Sequence, residues 1–494
     1  MPVSSVPSRY GIGTLGIEAC NFVDFLKSCG QKYWQILPIG PTGFGDSPYQ
    51  SFSAHAGNPY WIDLETLACE GLLSVAEIKK TGFAENPDLV DYGDLYEKRF
   101  VLLGKAAMRI KPQDKGFASF CAANAEWLDG YALFMSIKEE HGMVSFHRWP
   151  DKYRIYHEKN LLEARERLAD RVHFWSALQY LFFNQWKRFK AYANESGVEI
   201  IGDIPIYVSP DSSDLWMNHK LFQVDKTREL TSVAGCPPDY FDEFGQLWGN
   251  PLYNWGYHKK QGYEWWIKRL KHAGEIFDAV RIDHFRGFAG YYSIPAGSVN
   301  AVHGEWKTGP GKNFVSVVKK KAPELVIIAE DLGFLAPDVR GLLKFSGFPG
   351  MKVLQFAFDG SEDNEYLPHM YPENSIVYTG THDNPTTKSW LADLPPDSLE
   401  FVRKYLRAGK NLNLTGALVK AAMHSKSDIC IIPIQDWLLL GSEARINTPG
   451  TTAGNWRFRV RKRKLSASLA EKIFQVTEES GRAEPNQGRW HRPR

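Results

Sequence analysis

AVRIDHF (Ala279 to Phe285), LVIIAEDLG (Leu325 to Gly333) and SIVYTGTHDN (Ser375 to Asn384) are the stretches on which the fold of this chain turns. Each is a short apolar run, mostly β-branched or aromatic, that leads into an acid: Asp283, Glu330 and Asp383. Runs that stay apolar at successive positions read as strands buried on both faces. In a parallel barrel the emerging strand ends share one rim, and that rim is where such barrels do chemistry. One buried strand ending in an acid is unremarkable. Three, with Arg281 two residues before one acid and His382 beside another, make an active-site layout.

The same pattern recurs outward from these stretches. YWQILPI (Tyr33 to Ile39) follows a helical segment that closes at Gly30, and VEIIGDIPIYV (Val198 to Val208) follows an amphipathic run from Arg171 to Asn194. KVLQFAFDG (Lys352 to Gly360) and DICIIPIQDWL (Asp428 to Leu438) bring the number of strand candidates to seven. Strands alternating with helix-length segments predict an α/β fold with a parallel sheet, and one further strand would close a (β/α)8 TIM barrel. An open doubly wound sheet is the alternative, but no glycine-rich phosphate loop follows any strand. The expected organisation is a single catalytic domain over 1–494 with two insertions. One is a charged, largely helical rim subdomain at about 63–170, the other an aromatic loop insert at about 209–263. The basic segment RFRVRKRKLS (Arg457 to Ser466) reads as a solvated final helix, and the polar stretch 480–494 as a disordered tail.

Bulk properties exclude several classes. Lys and Arg number 59 against 57 Asp and Glu, so no overall field attracts nucleic acid or membrane. No apolar stretch approaches the ~20 residues needed to span a bilayer. MPVSSVPSRYGIG has neither a basic start nor an apolar core and is not expected to be a signal peptide. The six cysteines show no CxxC pairing, which points to free thiols in a reducing cytoplasm. Sixteen tryptophans are many for a chain of this size, and aromatics cluster in YFDEFGQLWGNPLYNWGY (Tyr240 to Tyr257). Rings interleaved with Asn, Gln, Asp and Gly suit sugars, whose C–H faces stack while their hydroxyls need polar partners; local packing is the alternative.

Retaining cleavage of a glycosidic bond needs one carboxylate as nucleophile and another as proton donor, about 5–5.5 Å apart. Asp283, Glu330 and Asp383 supply these groups and a further anion for the sugar cation. Arg281 points to the same side of its strand as Asp283 and is expected to hold it ionised, while neighbouring anions raise the pKa of the proton donor. His382 and His284 could donate to sugar hydroxyls. A divalent-metal site is the rival reading for the DH, ED and HD pairs, although adjacent strand residues face opposite ways and each pair offers one inward ligand. A non-catalytic binder would require a damaged triad, and none is seen.

RIDHFRGF, IIAEDLG, THDN and GDIPIYV resemble the conserved regions of the α-amylase clan. More specifically, PSRYGIGTLG (Pro7 to Gly16), GPTGFGDSPYQSFSAHAGNPYWIDL (Gly40 to Leu64), CPPDYFDEFGQLWGNPLYNW (Cys236 to Trp255) and RINTPGTTAGNWRFR (Arg445 to Arg459) resemble the 4-α-glucanotransferases, the amylomaltase or disproportionating-enzyme type of glycoside hydrolase family 77. The resemblance spans nearly the whole chain. It implies Asp283 as nucleophile, Glu330 as general acid/base and Asp383 as transition-state stabiliser, with Arg281 and His382 lining the subsite where cleavage occurs. It further implies that Asp203, Ser47, Tyr49, Gln246, Trp248, Asp359 and Asn455 contact an α-1,4-glucan. With no liganding constellation in the sequence and the full chemistry supplied by an acid and a nucleophile, no metal or organic cofactor is expected for turnover. Hydrolysis by an amylase or glucosidase of the same clan is the competing activity. The Cys236 to Trp255 loop, which could keep water from the intermediate, favours transfer. Members of the family carry a short apolar strand ahead of the PVSSVPS-like segment; here Met1 falls at its end, so the expectation is either a clipped first barrel strand or a start that lies further upstream.

Overall fold

The apolar runs fold as short parallel strands in a computed structural model that describes residues 1–84, 86–238, 243–333 and 336–483. In chain order the strands are β1 (Tyr33–Gln35), β2 (Glu199–Ile204), β3 (Ser232–Cys236), β4 (Gln246–Pro251), β5 (Ala279–Ile282), β6 (Gly290–Pro295), β7 (Glu305–Thr308), β8 (Val326–Ala329), β9 (Gly350–Val353), β10 (Ser375–Tyr378) and β11 (Ile429–Ile431). Seven of them form one all-parallel sheet in the order β1-β2-β5-β8-β9-β10-β11, wrapped by helices into a nearly closed barrel. The α/β barrel expected from the sequence is therefore present. No backbone ladder joins β1 to β11 among the described residues. A side-chain bond links β10 to β1, Tyr378 Oη donating to Gln35 Oε1 at 2.8 Å.

Proline sets where several strands stop, because it cannot donate to a ladder. β2 ends before Pro205, and β11 ends before Pro433, which opens the short helix Ile434–Trp437. The strand read as KVLQFAFDG is displaced: β9 covers Gly350–Val353, and Leu354–Phe356 is a 3-10 turn that lets Gln355 donate to the Pro385 carbonyl at 3.0 Å.

A second sheet, antiparallel and ordered β4-β3-β6-β7, stands on the rim beside β5. It draws two strands from the aromatic insertion and two from the segment after β5. Tyr240 and Phe241 of that insertion lie outside the described residues. Between β1 and β2 the helices Tyr92–Met108, Lys115–Glu140 and Glu158–Arg167 gather on the long helix Ala169–Glu195.

That long helix also positions the site. Gln179 accepts from Gly57 N at 2.7 Å and donates to Gly57 O at 3.0 Å; Gln185 does the same for Asp63, at 2.7 and 3.2 Å. Both glutamines are buried, so each amide satisfies a donor and an acceptor that have no water to turn to. Gly57 has to be glycine: a Cβ there would meet the Phe182 ring at 2.0 Å. The segment carrying Ser47 and Tyr49 thus ends in a clamp.

The basic segment is not a solvated helix. Residues 457–461 run extended against 86–90, with Arg457 Nε donating to Val90 O and Arg459 Nη1 to Asn86 O, both at 2.8 Å, and Arg461 paired with Asp88. The final helix is Ala467–Glu479. Of the tail expected to be disordered from 480, Arg482 is anchored to the carbonyls of Met423 and Ser427, at 2.6 and 2.7 Å; residues 484–494 lie outside the described residues.

Gln179→Leu, similar in volume, leaves the buried Gly57 amide and carbonyl without partners. It should lower unfolding free energy by about 2–4 kcal/mol, read as a reduced urea midpoint at constant slope. A loss below about 1 kcal/mol would mean that the clamp contributes nothing beyond packing.

Candidate active site

Register brings the charged side chains together. Asp203 on β2 pairs directly with Arg281 on β5, and β5 pairs in turn with β8. The ladder continues past the strand ends: Asp283 N donates to Ile204 O at 3.0 Å and Glu330 N to Ile282 O at 3.1 Å. Both carboxylates therefore leave the rim at adjacent, fixed positions.

Arg281, 4% exposed, distributes its donors among three partners. Nη1 reaches Asp203 Oδ2 at 2.6 Å, Nη2 reaches Asp283 Oδ1 at 3.0 Å, and Nε points to the Met351 thioether sulfur at 3.4 Å. Tyr49 Oη donates to the same Asp203 oxygen at 2.7 Å. Burial opposes the charge on Arg281, but Asp203 and Asp283 hold its pKa well above the usual value. Burial raises Asp283 to about 6 against the pull of Arg281, with Asp203 and Asp383 adding to the rise. Arg281 alone thus does not keep Asp283 at an ordinary carboxylate pKa. Because 29% of the Asp283 side chain still faces the cleft, solvent tempers the rise and favours its ionised form.

Glu330 is enclosed. Its Oε2 accepts from His284 N at 2.6 Å and Oε1 from Leu332 N at 3.0 Å. His284 adopts φ 50°, ψ 45°, and this left-handed turn directly after Asp283 is what aims its N–H at the acid. Burial pushes Glu330 up to about 7, opposed by Arg281 and reinforced by Asp283. Burial, rather than neighbouring anions, is the chief cause. The His284 ring is held down to about 3, also by burial, and is neutral.

Asp383 does not end its strand. It lies five residues beyond Tyr378, with 48% of its side chain exposed, in a loop braced from elsewhere. Asn447 Nδ2 donates to its Oδ1 at 2.7 Å and Arg445 Nη2 to its main-chain oxygen at 2.8 Å. His382 stacks on Tyr49 at 5.0 Å and 17° and places Nε2 3.4 Å from Asp383 Oδ2. The structure thus gathers Asp203, Tyr49, Arg281, Asp283, Glu330, His382 and Asp383. Trp248 joins them through His284, ring centroids 4.8 Å apart and nearly perpendicular.

The other expected residues hold their own loops. Ser47 Oγ accepts from Tyr49 N, Gln246 Oε1 from Trp248 Nε1, and the exposed Asp359 from Ser361 N. Asn455 accepts from Thr448 N and donates to Thr451 O, both at 3.0 Å. Met351, Asn447, Arg445 and the two main-chain donors to Glu330 also serve the site, and none is marked in the sequence. Asn447 and Arg445 stood inside the quoted RINTPG motif without a chemical signature of their own; backbone donors leave none.

A parallel barrel carrying two adjacent carboxylates at its C-terminal rim, one enclosed and one facing the cleft, defines an enzyme of paired-carboxylate chemistry. The family model described as 4-alpha-glucanotransferase, glycoside hydrolase family 77, matches residues 1–465, and the chain belongs to this family. It is 43% identical over 487 residues to the 4-alpha-glucanotransferase of Clostridium butyricum, covering 98% of this chain and 100% of that protein. It is 44% identical over 491 residues to that of Thermus thermophilus, covering 97% of each. The amylomaltase from Streptococcus agalactiae in complex with acarbose superposes with a TM-score of 0.95 at 39% identity over 98% of both chains. The amylomaltase from Corynebacterium glutamicum, at 20% identity and a TM-score of 0.78, shares the fold.

The profile of kcat/KM against pH should be a bell. Its acid limb, near 6, reflects ionisation of Asp283, and its alkaline limb, near 7, loss of the Glu330 proton; the two values belong to the pair. Glu330→Gln should abolish the alkaline limb. An alkaline limb that persists in that variant would place the proton donor elsewhere.

Proposed function

We propose that this chain is a 4-α-glucanotransferase acting on α-1,4-glucans by retaining double displacement. Asp283 attacks C1 of the donor glucose while Glu330 protonates the leaving glycosidic oxygen. The 4-hydroxyl of an acceptor glucan then gives its proton to Glu330 and displaces Asp283, restoring the original bond type. Asp383 stabilises the cationic sugar in the transition state of each step, and His382 is placed to donate to a sugar hydroxyl. The observation that carries this reading is Glu330 itself. It is a buried acid lifted to about 7, both oxygens held by main-chain N–H groups, beside a carboxylate held by Arg281.

Asp203 and Tyr49 support Arg281; Trp248, Gln246, Ser47, Asp359 and Asn455 belong to the glucan-contacting surface in this reading. The helical insertion at 63–170 and the loop insert at 209–263 act as parts of one catalytic unit. The scheme calls on side chains alone, without metal or organic cofactor, and on neither nucleic acid nor membrane. No helix among the described residues is long and apolar enough to cross a membrane, and none of the six cysteines forms a disulfide; both features suit a cytoplasmic enzyme.

Incubation with maltotriose should yield glucose and a ladder of longer chains with total reducing ends constant. Rising reducing ends without a ladder would identify the hydrolase instead. Glu330→Gln should slow turnover of maltotriose by about 10²–10⁴-fold, least with a glucosyl fluoride donor, whose leaving group needs no proton. Azide should then speed release of the glycosyl group in that variant. Rescue of Asp383→Asn in its place would overturn the division of roles.

A further inference from the structure

Trp306 lies on β7, the outer strand of the antiparallel sheet, and is 45% exposed. The Arg286 guanidinium sits over its ring at 4.2 Å, and Tyr292, its partner in register, meets it edge-on at 5.3 Å. The ring is thus held rigid rather than free to fold onto the sheet. Arg286 belongs to the turn Phe285–Phe288 that follows Asp283, and Glu330 and Cys236 are among the groups whose charge it feels. Arg286 thus joins Trp306 to the turn that follows Asp283.

Leu247, Gly235, Tyr292 and Trp306 are paired in register across the four strands, so their positions share one face over three strand spacings, about 14 Å. The two ends of this row are open, Leu247 at 37% and Trp306 at 45%. Between them the loop after β6 brings Val302, 42% exposed, and Ala301 N donates to the Phe244 carbonyl at 3.0 Å, bringing Phe244, itself 55% exposed, alongside. Scattered apolar residues on a surface need no explanation; exposed ones aligned on one sheet face, with an indole ring fixed at the end of the row, do.

We propose that Trp306, with Leu247 and Val302, forms a distal subsite that holds the part of a long α-1,4-glucan extending beyond the catalytic cleft. The proposal rests on the glucanotransferase reading. A polymeric substrate has to leave the cleft over the rim, and its sugar C–H faces match a fixed indole ring. Charged neighbours on the same strand, Glu305 and Lys307, are both exposed, which suits a polyhydroxyl chain. A protein interface, by contrast, depletes charge at its centre.

Trp306→Ala should raise KM for long amylose about three- to tenfold while moving KM for maltotriose by less than about twofold. Trp306→Phe should recover most of the loss, and Val302→Ser should shift the same substrate in the same direction. In an Asp283→Asn background, where no turnover occurs, migration through an amylose-containing gel should be retarded, and adding Trp306→Ala should relieve that retardation. Equal changes for both substrates would overturn the subsite, as would unchanged retardation or a change in sedimentation in place of a change in KM. Failure of the parent enzyme to build a ladder from maltotriose would instead overturn the transferase reading, and the gel would still report on Trp306.

Discussion

The buried guanidinium of Arg281 is the constraint on which the site depends. A charge removed from water has to be paired and its donors satisfied, and Arg281 does this by binding Asp203 on β2, Asp283 on its own strand and the Met351 sulfur on β9. The planar fork spans three strands of the barrel, which an ammonium group could not do. Asp203 exists in this scheme as a counter-charge, and Tyr49 as a donor to that counter-charge. Stacking of Tyr49 on His382 then carries the order outward to Asp383. Strand register, ion pairing and the placement of the catalytic groups are one arrangement.

The helical insertion is tied into it. Lys138, on the helix Lys115–Glu140, is 1% exposed and donates to Asp211 at 2.5 Å and to Val144 O at 2.9 Å while lying over the Phe52 ring. Asp211 follows β2, and Phe52 follows Tyr49. On the other side Tyr92 Oη donates to the Trp456 carbonyl at 3.0 Å, and the Trp456 ring lies against both Tyr49 and His382. The loops that carry Tyr49 and His382 are thus held between the barrel and the insertion, with few ways to shift independently.

The barrel was legible because its strands are buried on both faces and leave continuous apolar runs. Arg281 and Asp283 were legible because an i, i+2 spacing on a strand fixes a common side. The antiparallel sheet was not. β3, β4 and β6 carry glycine or proline and take their partners from distant segments, so no local period marks them. Asp383 was placed at a strand end because the apolar run continues into TGTHDN, yet Asn384 bonds Thr381 and turns the chain into a loop. The hydrogen bonds to Glu330 come from main-chain atoms of His284 and Leu332, and such donors depend on φ and ψ, not on residue type. Met351 reads as one more core methionine until Arg281 is seen beside it.

Enclosure of Glu330 also reaches beyond catalysis. A carboxyl whose pKa is about 4.5 in an unfolded chain and about 7 here binds a proton on folding at intermediate pH, and Asp283, lifted to about 6, does so over a narrower span. The native state therefore holds more protons than the unfolded state from roughly pH 4 to 7. Over that interval the contribution of these two groups to stability declines as pH rises, and it levels off once both are ionised. In the glycosyl-enzyme Asp283 is esterified and Glu330 alone is ionised, and that charge is the one whose burial the fold resists most. Each turn of the cycle moves a proton between the substrate and a protein that is more stable while it keeps it.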